Sequence, residues 1–66
     1  MISKEQIPKL PGEKVLLQRT GEVWTILSAR IVRWAGLVAL LEKDGEQKQI
    51  AIHNANWEED SGMFIL

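Results

Sequence analysis

Five glycines, Gly12, Gly21, Gly36, Gly45 and Gly62, cut the chain into short apolar stretches rich in Val, Ile, Leu and Trp. Turn signals recurring at intervals of roughly 8–12 residues are the pattern of a small β-barrel or sandwich. With 66 residues there is room for one domain. A chain of this size buries only about 60% of its unfolded surface, so its core is thin. Cysteine is absent, which removes a disulfide staple and a Cys-based zinc site. Small chains lacking both often draw on oligomerisation. The expectation is a single all-β domain.

Pro8 and Pro11 disfavour a regular element in the first stretch, so residues 1–11 are expected to form a flexible N-terminal arm and residues 12–66 the domain. Five strands are predicted, at 14–19, 23–34, 37–43, 47–53 and 63–66. Asp44-Gly45 between the third and fourth is a hairpin signal, because both residues tolerate the positive φ of a type I′ turn. Residues 54–56 read as a short turn. Alternation fails near Ser28-Ala29, where a bulge or sharp bend would restore the phase. The competing layout is α+β, ββαββ, with a helix over 29–43 capped by Ser28. Arg30, Arg33, Glu42 and Lys43 would scatter around that helix and leave no apolar stripe. Gly36 in its middle would cost about 1 kcal/mol relative to Ala. Strands are the preferred reading.

Gly21-Glu22-Val23-Trp24, Ala29-Arg30-Ile31-Val32, Gly36-Leu37-Val38-Ala39-Leu40, Asp44-Gly45 and Ile50-Ala51-Ile52 follow one another in an order that resembles small barrels of the Src-homology-3 type. Tudor domains show a comparable succession. Pro11-Gly12-Glu13-Lys14-Val15-Leu16-Leu17 and Ile52-His53-Asn54-Ala55 are similar to retroviral integrase C-terminal domains, and the part from Ala29 onward more weakly resembles Sm-like barrels. The resemblance spans residues 12–66 and implies a five-stranded SH3-like barrel. The integrase and Sm likenesses imply nucleic-acid binding by analogy. The Gly-Pro-aromatic signature and basic surplus of the integrase domains are missing. With no Tyr and only Phe64 beside Trp24, Trp34 and Trp57, a methyl-lysine cage lacks its aromatics.

Catalysis finds little footing. His53 is the single histidine, and no Cys or Gly-x-Ser-x-Gly supports a nucleophile. A strand-end structural role suits His53 better than a general base. Glu58-Glu59-Asp60 points three carboxylates in different directions and reads as a solvated turn. No Gly-rich phosphate loop precedes a helix. The chain is expected not to be an enzyme and to use no cofactor or metal.

Binding is the better-supported class. Three tryptophans are a large aromatic share for 66 residues. If the phase is not reset near Ser28, Trp24, Ile26, Arg30, Val32 and Trp34 share one face. Bases could stack there while arginines meet phosphates. The candidate nucleic-acid contacts are Arg19, Trp24, Arg30, Arg33 and Trp34, with Lys14 a further basic candidate. A net charge of −1 weighs against a broadly basic surface. Leu37, Ala39 and Leu41 alternate with Val38 and Leu40, so both faces of one strand are apolar. Val38 and Leu40 are therefore candidate interface residues for a protein partner or a homo-oligomer. No apolar run approaches the ~20 residues of a membrane helix, and no signal peptide is visible, which gives the expectation of a soluble cytoplasmic protein.

Overall fold

A computed structural model describes residues 2–66. Six strands form one mixed sheet: β1 (Lys14–Leu17), β2 (Glu22–Val32), β3 (Gly36–Lys43), β4 (Glu46–Ala51), β5 (Asn56–Glu58) and β6 (Met63–Ile65). Their order across the sheet is β4-β3-β2-β1-β6-β5. Neighbours are antiparallel except β1 and β6, which run parallel. The all-β class holds, and the helix over 29–43 does not form. Instead this stretch supplies β2, β3 and the turn between them. The strand count is corrected from five to six, because Asn56, expected in a turn, begins β5 against β6. Sequence reading passed over β5 because three exposed residues carry no apolar alternation.

Two hairpins show why the glycines matter. Lys43 pairs with Glu46 across the two-residue turn Asp44-Gly45, whose φ angles are 51° and 86°. Those are the positive values a type I′ turn demands. Gly45 N–H also donates to Glu42 Oε1 at 3.0 Å, which ties the turn down. Between β2 and β3, Val32 pairs with Gly36 and Ala35 N–H donates to Val32 O at 3.3 Å. Gly36 follows at φ 74°. A turn closed by one left-handed residue is the usual three-residue hairpin loop.

The break in alternation is a β-bulge, centred one residue earlier than expected. Ile26 pairs with Leu41 and Ser28 with Leu40, leaving Leu27 unmatched. The extra residue flips the parity of β2. Before it, Trp24 and Ile26 face inward. After it, Ala29 and Ile31 lie on the side of their partners Ala39 and Leu37. An uninterrupted strand would have put Ala29 outside and Arg30 inside.

The core is one cluster gathered from nearly every element: Leu10, Val15, Leu17, Trp24, Ile26, Leu37, Ala39, Leu41, Ile52, Ala55 and Phe64. Phe64, Val15 and Trp24 form a row across β6, β1 and β2. Strands from both halves of the sheet meet in one interior, an arrangement compatible with a small barrel. The expected flexible arm is docked rather than loose. Lys4–Lys9 is a 3-10 helix, Leu10 behind it is 1% exposed, and Ile2 and Ile7 pack against the core. Ser3 N–H donates to Gln6 Oε1 at 2.8 Å and Gln6 N–H to Ser3 O at 3.1 Å, which closes the first turn. Pro8 is tolerated because the helix is a single short run with little downstream ladder to break.

Candidate functional site

The β2–β3 hairpin ends in the loop Arg33-Trp34-Ala35. A three-residue loop has no interior, so its central side chain projects. Trp34 is accordingly 87% exposed, the largest exposure of any large apolar residue described. Ile31, 54% exposed, stands at the same end. Arg33 adjoins Trp34 in the loop, and Arg30 is exposed on the outer face of β2, its Nη2 donating to Gln49 Oε1 at 3.5 Å. Among the described residues neither arginine pairs with a carboxylate; the ion pairs are Lys43 with Glu22 at 3.8 Å and with Asp44 at 3.4 Å. His53 packs against Gly36 at the base of the loop, where a Cβ on Gly36 would lie 3.3 Å from His53 Nδ1.

Charge is segregated along the hairpin. From Val23 to Leu41 there are two arginines and no Asp or Glu. Carboxylates gather at the opposite end, on Glu22, Glu42, Asp44 and Glu46, where Lys43 offsets some of them. A second acidic group, Glu58-Glu59-Asp60, leads through the β5–β6 turn, and no cluster of three or more metal-ligating groups forms among the described residues. The net charge of −1 therefore conceals a local positive tip.

The five expected nucleic-acid contacts do not form one site. Arg33 and Trp34 adjoin in the hairpin loop, whereas Arg30 stands back on the outer face of β2 with its guanidinium directed at Gln49, level with Leu40 and Ser28 and away from the loop. Trp24 is removed from the set: it is 4% exposed in the core, placed there by the unbroken inward phase of Val23 to Ile26. Its indole N–H has no hydrogen-bond partner among the described residues, and Lys48 Nζ covers the ring at 4.4 Å. The single face joining Trp24, Ile26, Arg30, Val32 and Trp34 is overturned by the bulge at Leu27, which turns Arg30 away from Trp24 and Ile26. Arg19 lies in the β1–β2 turn, on the rim of a concavity of about 420 Å³ shared with Lys48, Ile50 and Leu66. Lys14 is on the outer face, its Nζ donating to Thr25 Oγ1 at 2.8 Å. Val38 and Leu40 point outward as expected, half-buried. Their cross-strand neighbours are Arg30 and Ala51 for Val38, and Ser28 and Gln49 for Leu40. Polar residues thus interleave them rather than leaving a continuous apolar patch.

Sequence reasoning passed over a second aromatic feature. Trp57, 48% exposed, stands edge-on to Phe64 with ring centroids 5.0 Å apart. With Leu10, Gln6, Lys9 and Glu13 these rings line a shallow groove of about 230 Å³ between the 3-10 helix and β5–β6. Its sequence signal was weak because the groove joins residues about fifty positions apart.

Comparison with protein-family models, with curated proteins and with solved structures finds no match to this chain.

Proposed function

We propose that this chain is a non-catalytic binding module, a small barrel of the SH3-like kind, that holds single-stranded nucleic acid at the tip of its β2–β3 hairpin. The observation that carries the reading is Trp34: an indole 87% exposed, next in the loop to Arg33, which among the described residues has no carboxylate partner. Leaving a large aromatic in water yields no folding energy, since its burial is what stabilises. A flat exposed ring beside a guanidinium group is the combination that stacks a base and meets its phosphate. A protruding tip suits unpaired bases, which can be splayed onto a ring, better than a duplex groove, which takes a helix or ribbon. The barrel reading rests on the bulge that lets β2 serve two parts of the sheet and on the single enclosed core.

Titration of short single-stranded DNA and RNA oligonucleotides against the protein at several salt concentrations tests this. Stacking is worth about 1–3 kcal/mol per base, so Trp34→Ala is expected to weaken binding by about 5- to 150-fold. Arg33→Glu should also weaken it, and affinity must fall as salt rises, by about 0.7 log units per log unit of salt for each phosphate neutralised. Absence of binding at low salt would refute the reading.

A further inference from the structure

We infer that the cavity between β4 and the β1–β2 turn binds a small carboxylate carried on an aliphatic tail. None of its residues belongs to the hairpin loop, so the site stands apart from the nucleic-acid reading. Its volume, about 420 Å³, lies inside the roughly 300–1,000 Å³ range of small-molecule sites. β4 is the last strand at one edge of the sheet, so the interior stays open on its side. Lys48 and Ile50 pair with Leu41 and Ala39, both core residues, and therefore face that interior. Leu17 at the end of β1 and Leu66 join Ile50 in an aliphatic floor. Leu66 N–H donates to Leu16 O at 2.9 Å, and Gln18 N–H donates to Leu66 O at 3.1 Å, which fixes Leu66 beside β1.

The polar lining is of one sign. Arg19, Lys48 and Thr20 border this floor, and no Asp or Glu lines the cavity. Lys48 Nζ is held 4.4 Å from the Trp24 ring centroid, which fixes a long side chain at the wall. Among the described residues neither Arg19 nor Lys48 pairs with a carboxylate. Glu22 meets the Thr20 hydroxyl at 3.1 Å and Lys43 at 3.8 Å. The Thr20 hydroxyl is thereby committed, and the anion's partners are Arg19 and Lys48. An inward lysine on an edge strand also discourages edge pairing, but that role calls for neither an arginine from a different element nor an aliphatic floor. Cations over an aliphatic floor select an anion with an apolar body. A guanidinium matches a carboxylate in its plane, and the tail displaces water from Leu17, Ile50 and Leu66.

The test titrates the native chain with octanoate and follows backbone amide NMR shifts, with butanoate, octylamine and inorganic phosphate as comparisons. Octanoate is expected to saturate, with its shifts concentrated at residues 17–20, 48–50 and 66. Each methylene that reaches the floor should raise affinity about fourfold, so butanoate should bind far more weakly. Octylamine shares the tail and phosphate shares the charge, and neither should match octanoate. Arg19→Glu should weaken octanoate by about fivefold, and Arg19→Lys should retain most of the affinity. Arg19 is exposed in a turn, so its variants keep the fold and the test does not rest on Lys48, whose removal uncovers Trp24. Trp34→Ala should leave octanoate binding unchanged. Shifts that do not saturate or fall elsewhere, an affinity indifferent to tail length, phosphate or octylamine binding as well as octanoate, or Arg19→Glu binding like the native chain would overturn the inference. Octanoate binding without any oligonucleotide binding would uphold this site and refute the nucleic-acid reading, and oligonucleotide binding without octanoate binding would do the reverse.

Discussion

Three tryptophans occupy three environments, and each has a different physical consequence. Trp24 is in the core, its N–H unpaired among the described residues. A buried donor left without an acceptor costs about 1–3 kcal/mol, which offsets part of what the ring's burial contributes. Trp24→Ala should cost about 3–5 kcal/mol, comparable to the whole stability of a chain this size at roughly 0.05–0.15 kcal/mol per residue. Trp24→Phe should cost far less, since it keeps most of the ring and deletes the orphan donor. Urea unfolding curves of the two variants check this ordering; Trp24→Phe as damaging as Trp24→Ala would contradict it. Trp34, by contrast, is predicted to be dispensable for the fold. Trp34→Ala should change stability by no more than about 0.5 kcal/mol, as exposed positions do, while removing the most solvent-exposed component of the intrinsic fluorescence and leaving that of half-exposed Trp57. An equal loss of stability from Trp34→Ala would mean the ring is packed.

Among the elements, the β2–β3 hairpin joins fold to function, and two of its positions can be tested separately. Gly36 sits at φ 74° with His53 Nδ1 3.3 Å from where a Cβ would be. Gly36→Ala should destabilise by about 1–2 kcal/mol, the cost of a left-handed residue bearing a Cβ. Adding His53→Ala relieves the contact but not the backbone strain, so the double variant should recover only part of the loss; full recovery would show that sterics alone were responsible. At the bulge, deletion of Leu27 would join Ile26 directly to Ser28 opposite Leu41 and Leu40, a regular ladder that keeps Ala29 and Ile31 on the inner side but removes the bend and extra twist a bulge gives β2. Leu27→Ala, at a residue 40% exposed, keeps the bulge and its bend. Deletion should therefore lower the denaturation midpoint much more than substitution does.

These elements also mark how much could be read beforehand. The hairpins were legible because Asp44-Gly45 and Gly36 are local chemical signals whose effect reaches only four residues. The inward set Leu37, Ala39 and Leu41 followed from period-two alternation. Trp24 could not be placed with certainty, because its face relative to Arg30 and Trp34 depends on a single unmatched residue. A bulge has no strong composition signal, and here it is an ordinary Leu. The docking of residues 2–10 was hidden for another reason: its anchor is Leu10, an isolated apolar residue between Lys9 and Pro11 whose burial depends on strands far along the chain. The candidate site was half visible: Arg30, Arg33 and Trp34 are close in sequence, whereas Trp57 meets Leu10 and Glu13 only after folding.

On the scale of the whole molecule, a chain with net charge −1 binds a polyanion only if its charges are sorted in space. The sorting observed, Arg30 and Arg33 in the half of the β2–β3 hairpin that is free of carboxylates, and most carboxylates around the opposite turns and the β5–β6 loop, gives that tip a local positive charge and the rest of the surface a more negative one. With an interaction range of about 10 Å at 0.1 M salt, the tip acts locally and the flanks repel only what approaches them. Binding should therefore be weak, short in site size and strongly salt-dependent, and repeated copies rather than one domain would give useful affinity. The most direct test follows the fluorescence of a variant in which Trp24 and Trp57 are replaced by Phe, leaving Trp34 as the sole indole, while a single-stranded oligonucleotide is added at low and then raised salt. The account predicts quenching of Trp34 that saturates and is reversed by salt. Saturable oligonucleotide binding with Trp34 emission unchanged, or no binding by a folded chain at low salt, would contradict it.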